Sequence, residues 1–328
     1  METMTKRRCF FLLSGIFLVV AVICITVRPV RHALFPWTVN RILEVTILTY
    51  PPWGFSMTGV EPGTQVVVEA DHGRRLQADL FRTSGPLKGR ILFVHGSIPK
   101  GRKFSPYRFI AGELSKLGFD VLLPDIGGYG DSPLEPGSVP TFGADVAASA
   151  RALDGLTENL DSRDCIVIGH SLGASMALEA VVHHGLKPWK VVLWDPPLTG
   201  EIEKTDAGAL KALNRFRSEI RVVGGGKLLV EDGALMKYFK SLEPLALLRS
   251  IPEPKTRILA AIGSLIGHHG PLMEEAGIRA EWLSVLDLTG VDHFLNMVSL
   301  GSEDSWLLYR PGNMKLFLDS VIPWMEKP

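Results

Sequence analysis

The chain has few cysteines and no excess of either charge, and both scarcities exclude classes of protein. Its three cysteines are Cys9, Cys24 and Cys165, and the first two lie in or beside an apolar N-terminal run. None has an evident partner in the rest of the chain, so no disulfide framework is predicted. The nine histidines show no H-E-x-x-H or similar ligand spacing. The sequence therefore predicts no metal site and no cofactor.

The 35 basic and 35 acidic residues balance each other, but they are unevenly distributed. Residues 1–41 contain six basic residues and one acidic residue, whereas the remaining chain contains 29 basic and 34 acidic residues. A mildly acidic body lacks the basic surface that binds nucleic acid, so no nucleic-acid partner is expected. With 46% hydrophobic residues, the chain can build one globular domain with additions.

An apolar run of 18 residues, Phe10–Val27, follows the basic triplet Lys6-Arg7-Arg8. That length just spans a bilayer. A cleaved signal peptide is the alternative, but the run is long for one and no small-residue cleavage site follows it. We predict a single-pass N-terminal membrane anchor over residues 1–28. Three basic residues stand on each side of the run, so the positive-inside rule leaves the side of the membrane open.

Residues 29–63 are rich in proline and also contain Trp37 and Trp53. We interpret this segment as a juxtamembrane connector, with the tryptophans at the lipid interface. A strap that packs on the globular domain is an equal alternative. From residue 64 to residue 328 the pattern becomes that of an α/β domain, interrupted at about residues 198–250.

Strands and helices alternate along this domain, which predicts a mostly parallel sheet covered by helices on both faces. The predicted strands are Gln65–Glu69, Leu76–Phe81, Arg90–Val94, Asp120–Leu123, Ile166–Ile168, Lys190–Trp194, Thr256–Ile262 and Glu281–Leu288. The predicted helices are Tyr107–Leu117, Gly143–Leu160, Ala174–Val182 and Gly312–Met325.

The segment Gly169-His-Ser-Leu-Gly173 stands between a strand and a helix. This is the context in which a G-x-S-x-G sequence forms a nucleophile elbow. The two glycines allow a tight turn without a Cβ clash, and the turn lifts the Ser171 hydroxyl clear of the sheet. The N-terminus of the following helix then favours negative charge that develops beside the serine.

Four motifs in this order, each after a predicted strand, give the chain a family resemblance over roughly residues 64–326. They are HGS at 95–97, DIGGYGDS at 125–132, GHSLG at 169–173 and GVDHF at 290–294. The sequence resembles the α/β-hydrolase-fold serine hydrolases, in the esterase, lipase and monoacylglycerol-lipase-like group. The resemblance implies that fold. It also implies a lid insertion at about residues 198–250, with a hinge at Gly224–Gly226 and an apolar inner face. Plain structural packing of that segment is the alternative.

The resemblance implies Ser171 as the nucleophile and His293, on the loop after the last strand, as its base. The oxyanion hole would consist of the backbone amides of Leu172 and Ser97, with Ile98 as the neighbouring alternative to Ser97. His170 is expected to pack beside the elbow, and His95 to brace the oxyanion loop. Asp125 and Asp131 are expected to hold the loop after the fourth strand, and Asp292 to face solvent.

The third member of the triad departs from the family pattern. Most relatives place an aspartate after the strand that corresponds to Thr256–Ile262, but the loop Gly263–Gly270 has no carboxylate. Either Asp195, at the end of the preceding strand, orients His293, or the imidazole is oriented by a carbonyl or water. We favour Asp195, although Asp-Pro-Pro is also ordinary turn chemistry. Glu274 and Glu275 are more distant candidates.

The sequence therefore predicts a membrane-anchored serine hydrolase that cleaves carboxylic esters through an acyl-enzyme. Its expected partners are a small-molecule or lipid ester and the membrane that holds residues 10–27. An amidase or peptidase of the same fold is one alternative. A non-catalytic protein that binds a ligand or partner is the other, and the missing carboxylate is its support. The oligomeric state is left open.

Overall fold

A computed structural model describes residues 56–156, 165–197, 214, 217–225, 228–251, 256–263, 282–288, 290–300 and 305–327. The predicted anchor at 10–27, most of the connector and the candidates Glu274 and Glu275 lie outside these ranges. Within the described ranges, no helix is both long enough and apolar enough to cross a bilayer.

Eight strands form one large sheet: β2 (Thr64–Glu69), β3 (Arg75–Phe81), β4 (Gly89–Val94), β5 (Phe119–Pro124), β6 (Cys165–His170), β7 (Lys190–Trp194), β8 (Arg257–Gly263) and β9 (Leu283–Leu288). Their order across the sheet is β2-β3-β5-β4-β6-β7-β8-β9. The two pairings at one edge, β2 with β3 and β3 with β5, are antiparallel, and the other five pairings are parallel. This sheet is the mostly parallel α/β architecture that the sequence predicts.

The central strands are apolar because both of their faces are covered. Every residue of β4, β5, β6 and β7 is buried, which is why these segments read as continuous apolar runs rather than alternating ones. The edge strand β2 alternates between exposed and buried positions and has one solvent-facing side. The sheet therefore places its hydrophobic middle strands, and the loops that follow them, at the centre of the molecule.

Six helices complete the part of the chain that the structure describes. They are α1 (Ser105–Lys116), α2 (Phe142–Leu156), α3 (Leu172–His183), α4 (Asp232–Ser241), α5 (Pro244–Ser250) and α6 (Pro311–Glu326). Residues of α2, α3, α4 and α5 share one hydrophobic core on one face of the sheet. Residues of α1 and α6 share a second core on the other face. Each helix thus buries one apolar side against the sheet.

A second, three-stranded antiparallel sheet was not predicted from the sequence. It consists of β1 (Ser56–Gly59), β11 (Trp306–Tyr309) and β10 (Val298–Leu300), with β11 in the middle. Strand β1 belongs to the segment that the sequence assigns to the connector, and it pairs with β11 near the end of the chain. Strands of three or four residues are too short for alternation of polar and apolar residues to reveal them.

The insertion between β7 and β8 lies against the domain along much of its described length. The Leu134 amide donates to the Arg221 carbonyl at 2.9 Å, and the Val223 amide donates to the Leu134 carbonyl at 2.9 Å. Leu235 in α4 and Leu248 in α5 are fully buried in the same core as α3. The apolar residues of this part of the insertion therefore serve packing against the domain.

Candidate active site

The four motifs meet at one edge of the large sheet. HGS, DIGGYGDS and the residue Ser171 follow β4, β5 and β6, and the loop that carries His293 follows β9. Because parallel strands all point the same way, the loops after their carboxyl ends gather at a single edge. Sheet order therefore brings together residues that are far apart in the sequence.

Ser171 has the strained backbone of a nucleophile elbow. Its φ is 52° and its ψ is −125°, a conformation that non-glycine residues rarely adopt. Close contacts explain the flanking glycines. A Cβ on Gly169 would lie 2.5 Å from the Gly173 carbonyl oxygen, and a Cβ on Gly173 would lie 2.4 Å from the Val94 carbonyl oxygen. The Ser171 amide donates to the Trp194 carbonyl at 2.9 Å, which fixes the turn beside the end of β7.

The structure brings His293 and Asp195 into direct contact. Nδ1 of His293 hydrogen-bonds Oδ2 of Asp195. Asp195 follows β7 with a φ of 48° and is 2% exposed, and its amide donates to the Ala261 carbonyl at 2.7 Å. The His293 ring centroid lies 4.4 Å from that of His170, the residue before Ser171. A carboxylate that accepts Nδ1–H leaves Nε2 of His293 as the nitrogen that can take a proton.

Gly263, the last residue of β8, has no space for a carboxylate side chain. A Cβ on Gly263 would lie 2.8 Å from the Val291 carbonyl oxygen on the histidine loop. Gly263 instead donates its amide to Oδ1 of Asp195, at 3.4 Å. The strand that carries the acid in most relatives therefore supports the carboxylate of its neighbour, because β7 and β8 are adjacent in the sheet.

Two of the three candidate amides in the loop after β4 already have hydrogen-bond partners. A Cβ on Gly96 would lie 3.0 Å from Cβ of Ser171, so this loop lies directly against the serine. The Gly96 amide donates to the Tyr107 hydroxyl at 3.0 Å, and the Ile98 amide donates to the Gly96 carbonyl at 2.8 Å. Both of these amides are therefore engaged, which disfavours Ile98 as an oxyanion donor and leaves the Ser97 amide. The Leu172 amide begins α3, where the first amides have no partner within the helix.

Glu219, in the insertion, is a site residue that sequence reasoning missed. Its carboxylate accepts a hydrogen bond from the Ser97 hydroxyl, and that hydroxyl also lies 3.2 Å from the Tyr129 hydroxyl. The contact joins residues 122 positions apart. No local pattern around Glu219 indicates it, because a glutamate in an amphipathic helical segment is ordinarily solvated. The result is a carboxylate directly beside the loop after β4.

His95 lies behind that loop and braces it, as the sequence predicts. Nδ1 of His95 lies 2.7 Å from the Gly96 carbonyl, and Nε2 accepts the Ile126 amide at 3.1 Å. The side chain is fully buried, and the loss of solvation lowers its pKa from 6.5 to about 4. A neutral ring that donates from one nitrogen and accepts at the other satisfies both neighbours.

Asp125 and Asp131 hold the loop after β5, which is their expected role, and they do so through Arg102. The Asp125 carboxylate accepts the Arg102 amide at 2.6 Å and the Asp131 amide at 2.8 Å, and it also pairs with the Arg102 guanidinium. The guanidinium reaches Asp131 at 3.0 Å and Asp79 at 2.9 Å. This buried network ties the loop after β4 to the loop after β5.

Asp292 does not simply face solvent, as the sequence suggests. It is half-buried, and its Oδ1 accepts the amides of Phe294 at 2.9 Å and Asn296 at 2.7 Å. In turn, Oδ1 of Asn296 accepts a hydrogen bond from the Asp292 amide at 2.8 Å. Side chains of this type close their own turns in this way, and here the turn presents His293. Within the described ranges, no group of three or more His, Cys, Asp and Glu side chains could hold a metal ion.

Comparisons with known proteins agree with this architecture. Residues 85–242 match a family described as serine aminopeptidase, S33. The uncharacterized protein Rv2307c of Mycobacterium tuberculosis is 33% identical over 182 residues, which cover 54% of this chain and 60% of that protein. The chain therefore spans less than two thirds of the length of this curated relative.

Two solved structures share the fold at low sequence identity. The structure of DcsB in complex with its substrate analogue has a TM-score of 0.55 and 15% identity, and the match covers 80% of this chain and 98% of that one. A puromycin-hydrolyzing peptidase from Mycobacterium tuberculosis has a TM-score of 0.55 and 18% identity, and the match covers 81% of this chain and 39% of that one. With its sheet order and strained serine turn, the chain is an α/β-hydrolase-fold protein that resembles the serine hydrolases.

Proposed function

We propose that the protein is a serine hydrolase that works through an acyl-enzyme, with Ser171 as nucleophile, His293 as base and Asp195 as the orienting acid. The observation that carries the proposal is the contact between Asp195 and His293 at the edge where Ser171 occupies a strained turn. A histidine whose Nδ1 is held by a buried carboxylate presents Nε2 as the proton acceptor. This pairing would also supply the acid that the loop Gly263–Gly270, where most relatives carry it, does not contain.

The proposed reaction has two stages. The Ser171 oxygen attacks the substrate carbonyl carbon while Nε2 of His293 takes the hydroxyl proton, and the Ser97 and Leu172 amides stabilise the oxyanion. His293 then gives the proton to the leaving oxygen, and the alcohol departs to leave an ester on Ser171. Water next loses a proton to His293 and attacks that ester. The returning proton restores the Ser171 hydroxyl and releases the carboxylic acid.

The proposed substrate is a carboxylic ester with a lipophilic acyl group. The lining of a cavity of about 570 Å³ includes Ile220, the neighbour of Glu219, together with Pro133, Val222 and Val223. In this proposal the apolar residues of the lining contact the acyl chain; the charged residues Asp131 and Arg221 also line the cavity. Residues 217–225, which include the first two glycines of the predicted hinge, act in this proposal as the lid over that chain. The membrane anchor at Phe10–Val27 would hold the enzyme close to lipid substrates.

A fluorophosphonate probe tests the nucleophile, because an activated serine displaces its fluoride and becomes phosphonylated, whereas ordinary serines do not react. We expect the full-length protein to be labelled and to hydrolyse p-nitrophenyl esters, with a preference for medium or long acyl chains. Ser171→Ala should abolish both signals. Ser175→Ala is the matched control, since Ser175 is a buried serine one turn further along α3, and it should keep both. A well-folded wild-type protein that takes no label would instead support the non-catalytic binding protein.

An aminopeptidase activity is a second candidate, and the Glu219 carboxylate favours it. The matched family is described as serine aminopeptidase, and a carboxylate beside Ser97 would pair with a free α-amino group. Aminoacyl p-nitroanilides with free and with acetylated amino groups separate the two functions. A preference for the free amine that Glu219→Gln removes would support the peptidase. Equal rates for the free and the acetylated anilide, both lower than the rates for esters, would support the esterase instead.

A further inference from the structure

A buried chain of hydrogen bonds joins three loops of the candidate site through Tyr107 and His170. The Gly96 amide donates to the Tyr107 hydroxyl at 3.0 Å. That hydroxyl lies 2.9 Å from Nδ1 of His170, and Nε2 of His170 lies 2.8 Å from the main-chain oxygen of His293. Neither side chain has exposed surface. Neither Tyr107 nor this use of His170 was anticipated from the sequence.

The two ends of the chain determine its direction. A backbone amide can only donate and a carbonyl oxygen can only accept, so the Tyr107 hydroxyl accepts from Gly96 and must give its own hydrogen to Nδ1 of His170. The single proton of the imidazole then lies on Nε2 and points at the His293 carbonyl. A second proton on Nδ1 would leave the Tyr107 hydrogen without an acceptor. The chain is therefore intact only when His170 is neutral.

The surroundings of His170 favour that neutral form. Complete burial lowers its pKa well below 6.5, and the neighbouring His293 lowers the pKa further. The ring centroid lies 4.1 Å from that of Trp194 and 4.4 Å from that of His293, and the rings are tilted relative to one another. An uncharged ring at this distance does not oppose the positive charge that His293 acquires when it takes a proton.

We propose that Tyr107 and His170 are positioning residues that set the distance between the oxyanion amides and the His293 imidazole. This inference rests on the proposed function, in which Ser97 and His293 act on the same carbonyl. Gly96 precedes Ser97, His170 precedes Ser171, and the chain ends on His293 itself. Apart from Tyr107, each link is thus at most one residue from a proposed reacting group. Tyr107 and His170, which are uncharged and inaccessible to water, thereby hold three segments that are distant in sequence at a fixed spacing.

Tyr107→Phe tests the proposal because it removes one oxygen and keeps the ring. Tyr238→Phe is the matched control: that hydroxyl also accepts a backbone amide, Phe142 at 2.7 Å, and bonds a side chain, Glu179 at 2.9 Å. Misplacement by about 1 Å can cost about 100-fold in rate. We therefore expect Tyr107→Phe to lower kcat about 10- to 100-fold with KM changed less than about twofold. Tyr238→Phe should leave kcat near wild type even if it destabilises the fold as much.

Nitrogen and proton NMR of the histidine rings provides a measurement that needs no substrate. We expect a neutral His170 with its proton on Nε2. The Nδ1–H resonance of His293, bonded to Asp195, should shift in Tyr107→Phe and stay unchanged in Tyr238→Phe. Wild-type protein that neither hydrolyses esters nor takes the probe contradicts the proposed function, and the spectra then still decide whether the chain positions His293. Equal kcat in the two variants of an active enzyme, a proton on Nδ1 of His170, or an unmoved His293 resonance overturns the positioning role.

Discussion

Asp195 is the residue that, in the proposed triad, takes the role of an acid usually carried by the neighbouring strand. Its backbone lies in the left-handed region, with a φ of 48°, which aspartate tolerates better than most residues. That conformation turns the carboxylate toward His293 and lets Gly263 donate to its other oxygen. A buried carboxylate with two such partners is well held, so its charge is available to orient an imidazole and to stabilise it when protonated.

The first prediction concerns this carboxylate. Asp195→Asn should lower kcat by about 100- to 10,000-fold with a much smaller rise in KM, because the amide favours the wrong imidazole tautomer and cannot offset its positive charge. Steady-state kinetics on the preferred ester measures both constants. The control is Asp120→Asn, a buried aspartate that accepts the Thr83 amide at 2.8 Å, which should keep wild-type kcat. A near-wild-type kcat in Asp195→Asn would assign the orienting role to another group.

A second prediction at this scale concerns pH. Because the folded pKa of His95 is about 4 and the unfolded value is 6.5, only the unfolded chain binds this proton between those values. The contribution of His95 to the free energy of unfolding is therefore fully present above pH 6.5, and it declines as pH falls toward 4. Burial raises the pKa values of Asp125 and Asp145 to about 6. These two groups have the opposite effect, because their contribution to the free energy of unfolding increases as pH falls. The total pH dependence therefore mixes these contributions.

Comparison with His95→Gln isolates the histidine. The difference in unfolding free energy between wild type and variant should shrink by about 1.4 kcal/mol for each pH unit below about 6.5. Urea unfolding at pH 7.5, 6.5, 5.5 and 4.5 measures it. Parallel curves for the two proteins over this range would show that His95 is not held neutral in the folded state.

At the scale of elements, a single lysine fastens the last helix to the sheet. Lys190 begins β7, and its ammonium donates to the carbonyls of Trp324 at 2.8 Å and Met325 at 2.9 Å, and also to that of Lys327. The ammonium also lies 3.8 Å from the centre of the Trp189 ring. The last carbonyls of a helix lack partners within it and carry partial negative charge, so a buried cation at this end satisfies both needs.

We therefore predict that Lys190→Met destabilises the protein by about 1–3 kcal/mol, because helix α6 loses the donor for its final carbonyls. Lys315→Met is the control, since Lys315 is an exposed lysine on the same helix that pairs only with Asp319 in the described structure. It should change stability by less than about 0.5 kcal/mol. Denaturant unfolding measures both, and kcat should be unchanged in each. Equal stability of the two variants would contradict the fastening role.

At the scale of the whole molecule, the described domain and the N-terminal apolar run have separate proposed roles. The domain contains the proposed site, and the run at Phe10–Val27 is proposed to hold it at a membrane. We predict that the full-length protein stays in the membrane fraction through a high-salt wash, because burial of the run is hydrophobic and not ionic. Removal of residues 1–28 should release the protein from that fraction or leave it peripherally bound.

Fractionation, followed by mass spectrometry of the N-terminus, checks both halves of this prediction. The control is a full-length variant with the basic triplet Lys6-Arg7-Arg8 changed to glutamine, which should remain membrane-bound if the apolar run is the anchor. Recovery of intact protein in the soluble fraction would contradict the anchor. A mature N-terminus beyond Val27 would instead identify the run as a cleaved signal peptide.

The sequence by itself determined the features whose cause is local. Continuous apolar segments predict β4 to β8 because strands covered on both faces have no polar side, and G-H-S-L-G predicts the turn at Ser171 because only glycines tolerate its close contacts. The order of these motifs also predicts which strand ends carry the serine and the histidine. Each of these inferences needs only neighbours along the chain.

Tertiary structure alone decided the contacts between distant residues. Asp195 and His293 are 98 positions apart, Ser97 and Glu219 are 122 apart, and His170 and His293 are 123 apart. The sequence offered Asp195 as one of several candidates, and it did not indicate Glu219, the Tyr107 chain or the sheet that joins β1 to β11. Such contacts depend on which strands are neighbours and on where each loop lies above the sheet. Local hydrophobic and turn patterns do not encode that arrangement, because it follows from the packing of the whole core.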